Sequence, residues 1–356
     1  MSADRVLTSE IPVATRVGTG AYRQNPADLV TNGVLAPTIA TKSGNPIDNN
    51  FIIARTRVRE RFHVKTADAV AKMGSDALSR ALKRKMWDLS NPDYLIVATS
   101  WETQKSTADA IIDLQTESAK PGKTPQLLHT IAACASFTQT LHELHRQRAR
   151  FEGKNIAIVA TEQYSTHTES LDDAIFGDHA AAFVGKFGKD LDSDFDILGS
   201  SSIPYLDKSN KIRMRVSKPS PRVAEQLLYF QELPFPQNVD DPDFVMDGPS
   251  VFEYALGSDN FASVESALKE ARLKLEDIDF IDTHQANGRI TESLYKRLKQ
   301  KGFKGTMPSN IEYFGNTSSV SIPLLLDEFQ PKSGQKAVLW GFGAGLLTCS
   351  VVVLFR

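Results

Sequence analysis

A chain of 356 residues, 41% hydrophobic and 24% charged, is long enough to hold two core-bearing units and excludes the disordered and collagen-like classes. A formal net charge of −2 gives no global basic field, so nucleic acid is not an expected partner and any steering of an acidic ligand must be local. The 2 cysteines cannot build a disulfide framework; they fit a reducing compartment, where a thiol persists and can serve as a nucleophile.

In chain order, the opening stretch MSADRVLTSEIPVATRVGTG carries early acidic residues and no apolar run of signal-peptide length, which points to a cytoplasmic protein. MGSDALSRALKRKM, with Ala77, Leu78, Ala81 and Leu82 at helical spacing, predicts a helix that leads through Ser-Asn-Pro into a strand, DYLIVATS. In HTIAACASFTQT, residues 129–140, an apolar strand-like run gives way to a helix beginning near Ala135, with Cys134 at its mouth. That helix ends at Gly153 and a strand, NIAIVATEQ, follows. Continuous apolar strands of this kind predict an α/β protein with parallel sheets covered by helices. The Pro- and charge-rich segment 207–248 is expected to be a long excursion over the surface, with one short helix around RVAEQLLYF. The C-terminal stretch 337–356 approaches the length of a membrane span. Gly341, Gly343 and Gly345 break a helix there and Val351 to Leu354 favour strand, so two buried strands around a glycine loop are expected, and no membrane contact.

Two pieces of this alternation occur twice. DALSRALKRKMWDLSNPDYLIVATS is echoed by ASVESALKEARLKLEDIDFIDTHQA, and FGDHAAAFVGKF by FGAGLLTCSVVVLF. Their matching order predicts an internal duplication with a boundary near 188–200, hence halves 1–190 and 191–356.

Few side chains offer chemistry. A cysteine at a helix mouth has its thiolate favoured by the helix N-terminal partial charge, so Cys134 is either a nucleophile or a small buried hydrophobe; Cys349, in the last strand, reads as buried. Of the 7 histidines, His142 and His145 lie on the helix LHELHRQR, whose spacing is not that of the HExxH zinc motif and reads as a solvated helix face. His63, His129 and His167 carry no context. His284 ends the strand DFIDT and opens the polar turn HQANGRI, a strand-end position suited to catalytic groups in α/β folds. Asn316 sits in a Gly-Asn-Thr-Ser turn before a helix, as a turn residue or cap, or as a functional amide. The glycines of GFGAGLL allow either close strand packing or the approach of a backbone N–H to a reacting carbonyl.

AACASFT, THQANGRI, FGNTSSVSIPLLLDE and GFGAGLLTCSVVV, in this order, resemble the motifs of the β-ketoacyl-(acyl carrier protein) synthase III family of the thiolase fold. The likeness extends to RVGTGAY, FIIARTRVRERF, DYLIVATS and IFGDHAAAFVG and covers most of the chain outside 207–245. It implies two duplicated thiolase-like halves packed as five layers, α-β-α-β-α. It implies Cys134 as the acylated nucleophile, His284 and Asn316 as the pair that drives decarboxylation and stabilises the enolate, and Gly345 with the Cys134 backbone as the oxyanion hole. Phe51, Arg55, Asn287 and Arg289 correspond to carrier- and substrate-binding positions. No resident cofactor is implied, because substrates ride on the phosphopantetheine of an acyl carrier protein or on coenzyme A; a homodimer is implied as well.

The chain departs from the pattern in four places. Phe51 stands where the family has tryptophan, and the arginine that helps hold the coenzyme A adenine falls near Ser170, which weakens the case for a coenzyme A primer. Ser136 stands where glycine is common, and His179 and Ala181 make GDHAAA of the usual GDGAGA. Arg289 keeps the carrier-docking arginine, followed by Lys296, Arg297, Lys299, Lys301 and Lys304, either a docking patch or a solvated basic face. The intact Cys-His-Asn set with a weakened adenine clamp and a long excursion points to a specialised relative, such as the chain-joining ketosynthases of α-pyrone antibiotic formation. Two rivals stand beside this: an acyltransferase that passes the Cys134 acyl group to a hydroxyl or amine, and a non-catalytic partner subunit.

Overall fold

The computed structural model describes residues 16–39, 45–66, 68–100, 106–116, 122–165, 174–204, 212–214, 219–231, 244–343 and 347–356. Ten strands form two sheets: β1 (Gly18–Ala21), β2 (Tyr94–Thr99), β3 (Gln126–Ile131), β4 (Asn155–Glu162), β5 (His179–Lys186), β6 (Phe195–Pro204), β7 (Leu227–Phe230), β8 (Phe280–Thr283), β9 (Lys336–Gly343) and β10 (Leu347–Phe355). The first sheet runs β1-β5-β4-β2-β3-β7 and the second β8-β9-β10-β6. The longer helices are α1 (Asn49–Thr56), α2 (Ala69–Lys85), α3 (Thr107–Thr116), α4 (Ser136–Arg146), α5 (Gly248–Ala255), α6 (Ser258–Ala271), α7 (Gly288–Gln300) and α8 (Ser321–Phe329).

Alternation along the strands decides which residues face which layer. In β4, Ile156, Ile158 and Ala160 join the central core with Phe137 and Leu141 of α4 and Leu324 and Leu326 of α8. Their neighbours Ala157 and Val159 face Ala77, Leu78 and Ala81 of α2. The second sheet does the same: Ala337 and Leu339 of β9 point to the centre, whereas Val338, Trp340 and Phe342 meet α6 and α7. Three cores between five layers result, with α4 and α8 sandwiched between the sheets. Each aliphatic side chain buried this fully stabilises by about 1.5–3 kcal/mol.

The series β2-β4-β5-β1 reappears as β8-β9-β10-β6. In each, the first pair is parallel and the next two are antiparallel. The sheets are therefore mixed, not parallel throughout. Continuous apolarity in a strand such as β5 reports burial of both faces, a condition that antiparallel strands inside a layered fold also meet. The C-terminal stretch forms the antiparallel pair β9 and β10, and no helix among the described residues is long and apolar enough to cross a membrane.

Two further expectations change. The helix near 221 is short, Pro221–Glu225, and LLYF instead forms β7, parallel to β3 at the edge of the first sheet. Arg222, which pairs with Asp109 of α3 through two 2.9 Å contacts, anchors that part of the excursion. His142 and His145 do not lie on a solvated face. His142 Nδ1 is 2.9 Å from Ser200 Oγ of β6 and His145 Nε2 is 3.3 Å from Glu270 Oε1 of α6, because α4 is covered by the second sheet. Burial pushes the His142 imidazole down to about 4.

Candidate active site

Cys134 lies in a single 3-10 turn, Ala133–Ala135, between β3 and α4. Ala133 has φ +48°, a left-handed conformation that costs a non-glycine residue about 1–2 kcal/mol. Ser136 holds the turn in place: its Oγ accepts from Ala132 N–H at 2.8 Å and lies 2.8 Å from Thr99 O and 2.7 Å from Ala133 O. A glycine there would supply none of these contacts. On the other side, β9 passes so close that a Cβ at Gly343 would stand 2.8 Å from Cys134 Cβ and 3.0 Å from Cys134 N, and one at Gly341 would stand 2.2 Å from Thr138 Oγ1. Close strand packing therefore accounts for these two glycines. Gly345, the third, lies outside the described residues.

Ser318 has φ +53°. Among the described residues the other left-handed non-glycines sit at helix ends: Arg57, Met86, Arg272 and Gln330 close helices and Asp68 opens one. Ala133 and Ser318 each open a 3-10 turn, and the two turns meet at the thiol, where Ser318 Oγ donates to Cys134 Sγ at 3.2 Å. Ser318 also links the other two expected residues. Its N–H donates to Asn316 Oδ1 at 2.9 Å, which leaves the Asn316 Nδ2 hydrogens as that amide's donors. Its carbonyl accepts from Ser321 Oγ at 2.9 Å, and Ser321 Oγ lies 2.9 Å from His284 Nδ1.

Asn316 is fixed by a backbone crossing as well. Its N–H donates to Ile175 O at 2.7 Å and its carbonyl accepts from Gly177 N–H at 3.1 Å. A Cβ at Gly315 (φ +66°) would stand 2.5 Å from Ile175 O and one at Gly177 would stand 2.1 Å from Phe314 O, so both glycines are required by close approach. His284 follows β8, bonded through its N–H to Trp340 O at 2.8 Å, its ring at 5.4 Å from that of Phe342. Burial pushes its imidazole down to about 3, so it is neutral at any ordinary working pH.

The four expected binding positions also converge. Asn287 caps α7, accepting from Arg289 N–H at 2.9 Å and donating from Nδ2 to Arg55 O at 3.1 Å. Arg55 lies over the Phe51 ring at 5.4 Å and Arg289 over that of Phe252 at 5.4 Å. The two elements are clamped by Arg57 and Glu292, with contacts of 2.8 and 3.1 Å. The basic residues along and just after α7 are largely engaged: Lys301 with Glu265 at 2.8 Å, Lys304 with Glu276 at 3.7 Å, Arg297 with Leu256 O and Lys299 with the carbonyls of Lys304 and Gly305. Ser170 and His167 lie outside the described residues. Cys349 is fully buried and burial pushes its thiol up. His63 Nε2 lies 3.4 Å from Phe176 O and His129 Nε2 3.0 Å from Ser106 Oγ. Among the described residues no group of His, Cys, Asp and Glu could hold a metal ion.

Sequence reasoning missed Ser318, Ser321, Ser100, Tyr164 and Glu162. Ser100 Oγ donates to Glu162 Oε1 at 2.7 Å and sits 2.7 Å from Ser318 Oγ; Tyr164 OH is 3.0 Å from both serine hydroxyls. A charged residue at the end of an otherwise apolar strand, as Glu162 is in NIAIVATE, was the available signal.

Residues 268–355 match the family model described as 3-oxoacyl-[acyl-carrier-protein (ACP)] synthase III C terminal. The chain is 29% identical to β-ketoacyl-[acyl-carrier-protein] synthase III 1 of Streptomyces coelicolor, over 96% of this chain and 96% of that protein. Among solved structures it is similar to the synthase III of Thermus thermophilus (TM-score 0.75, 23% identity, 95% of this chain and 98% of that one). It is also similar to the priming β-ketosynthase of the R1128 polyketide pathway (TM-score 0.71, 26% identity, 97% and 98%). Two sheets of repeated topology around buried central helices, with a cysteine at the mouth of one, make this a thiolase-fold protein. Within that fold, residues 268–355 carry the match to the synthase III C-terminal model and the chain is similar over nearly its whole length to 3-oxoacyl-[acyl-carrier-protein] synthase III proteins.

Proposed function

We propose that this chain joins two acyl groups through a thioester on Cys134, the second group being carried on an acyl carrier protein, in a polyketide pathway. The observation that supports it most directly is the junction at Ser318, where one residue contacts Cys134 Sγ and Asn316 and, through Ser321, His284. In the first step the Cys134 thiolate attacks an acyl thioester and the carrier leaves as a thiolate that takes its proton from water. In the second, a carboxylated thioester loses carbon dioxide, its electron pair remains as an enolate, and the carbanion attacks the Cys134 thioester, expelling the thiolate.

The Asn316 Nδ2 donors and a neutral His284 suit an enolate oxygen, whose charge exists only on the reaction path. Donation by His284 requires the proton on Nε2, the tautomer formed when the Ser321 proton faces Nδ1 instead of Ser318 O. The cluster of Phe51, Arg55, Asn287 and Arg289 would receive the carrier arm, with Arg289 as the cation for an acidic carrier protein. Phe51 and the excursion favour a carrier-protein donor over coenzyme A. The likeness to a polyketide priming ketosynthase supports the pathway class.

Intact mass of wild type and Cys134→Ala incubated with acyl carrier protein bearing an acyl chain, then with the carboxylated partner, tests the reading. A Cys134-dependent adduct that yields a product with a new carbon–carbon bond is expected. An ester or amide without that bond would establish the acyltransferase reading, and no Cys134-dependent adduct the partner-subunit reading.

A further inference from the structure

A continuous line of hydroxyls runs from the thiol to a buried carboxyl group: Cys134 Sγ, Ser318 Oγ at 3.2 Å, Ser100 Oγ at a further 2.7 Å, and Glu162 Oε1 at a further 2.7 Å. Tyr164 OH caps the two serines, and Ser100, Ser318, Tyr164 and Glu162 are all at most 1% exposed. No step exceeds hydrogen-bond reach. Glu162 belongs to β4, Ser100 follows β2, and Ser318 and Ser319 belong to the turn before α8, so the line crosses from the first sheet to the central layer.

We propose that Glu162 stores the proton of Cys134, received through Ser318 and Ser100, whenever the sulfur is a thiolate or an acyl thioester. The S–H bond breaks as its proton passes to Ser318 Oγ; the Ser318 proton passes to Ser100 Oγ and the Ser100 proton to Glu162 Oε1. One negative charge moves from carboxylate to sulfur, and no atom is lost. When the thiolate leaves the acyl group after condensation, the proton returns by the same route. Glu162 is thus a positioning residue for a proton, acting on the sulfur only through the hydroxyls.

The setting suits this role. The carboxylate accepts from Ser100 N–H at 2.8 Å and from the Ser319 hydroxyl, while burial pushes its carboxyl up to about 7, where neither protonation state is strongly preferred. The other ionisable groups around the line are Tyr164, His284 through Ser318 and Ser321, and His179, which stands opposite Glu162 in register. Burial keeps Tyr164 protonated and both imidazoles neutral, so none of them titrates between about pH 5 and 9. The acyl-enzyme then has a neutral Glu162, and a carboxylated second substrate meets no buried negative charge beside the sulfur.

The inference rests on Cys134 as the acylated residue. Its test is the rate of Cys134 alkylation by iodoacetamide against pH in the full chain, read by mass of the Cys134 peptide, for wild type, Glu162→Gln and Ser100→Ala. Removing a carboxylate that acts only through space would lower the apparent thiol pKa and speed alkylation. Loss of the proton store does the opposite: in both variants the apparent pKa should rise by about one unit or more, slowing alkylation about tenfold near neutral pH. Profiles that coincide with wild type, or a fall in Glu162→Gln, overturn the proposal. Should Glu162→Gln not fold, Ser100→Ala decides alone, since Ser100 Oγ is the hydroxyl that joins Ser318 Oγ to Glu162 Oε1. Acyl adduct formation on wild type is scored separately: an adduct with unshifted profiles rejects only the proton store, whereas shifted profiles without an adduct reject only the nucleophile.

Discussion

Ser136 puts a hydroxyl under the strained Ala133 at the nucleophile turn. Ser136→Ala would leave the buried Ala132 N–H without its 2.8 Å partner, a loss of about 1–3 kcal/mol. The expected result is a lower denaturation midpoint with slower Cys134 acylation; unchanged stability in urea titration would show that the turn holds itself. The serines also mark where sequence reading ends. Cys134, His284 and Asn316 were singled out because each sits at a recognisable boundary between elements, and their expected roles came from the family resemblance. Ser318 and Ser321 lie in TSSVS, where any hydroxyl reads equally well as a turn or cap residue. Only tertiary packing decides that one of them faces sulfur. Likewise His179 had no sequence rationale, yet its ring is packed edge-on between those of Tyr22 and Phe314, at 6.3 and 5.3 Å.

Among the elements, β9 has the most direct bearing on the chemistry, because its glycines let it run against the mouth of α4. Gly343→Ala would drive a methyl group to 2.8 Å from Cys134 Cβ, inside van der Waals contact, so the cysteine must move. A displacement near 1 Å costs about a hundredfold in rate. Single-turnover acylation should fall by about that factor while far-UV circular dichroism is retained; wild-type acylation would show that the strand yields instead. Most of the strands were readable from apolar runs; β1, β6 and β7 were not. LLYF of β7 follows a helical pattern, and its strand state comes from pairing with His129, Thr130 and Ile131 of β3, a long-range partner that local propensity does not encode. The reading of His142 and His145 failed for the same reason, since helical spacing alone cannot show that a second sheet covers that side of α4.

For the molecule as a whole, three buried or half-buried imidazoles hold stability hostage to acid. His179 is pushed down to about 4 in the folded chain by burial, against about 6.5 when unfolded. The unfolded chain takes up a proton below about pH 6.5 that the folded chain refuses, so stability present above that pH is lost as pH falls toward about 4. The loss runs at about 1.4 kcal/mol per pH unit and totals roughly 3 kcal/mol across the window. In His179→Gln that proton is absent, so the difference in urea-unfolding free energy between pH 7 and pH 5 should shrink by about 2 kcal/mol. An unchanged difference would mean that this imidazole titrates freely. The duplicated topology bears on this scale too: matching echoes in sequence order correspond to α2 with β2 and α6 with β8, and to β5 and β10, which carry the repeated strand directions.

The close pass of Gly343 beside Cys134 has a consequence for biosynthesis. At about 5–20 residues per second, a ribosome needs roughly 10–40 s after making the thiol to deliver the glycines that flank it, and Ser318 arrives only shortly before them. Until then the first half carries a cysteine without its neighbours. The centre is assembled last, so a chain interrupted before β9 holds the nucleophile without the wall that positions it.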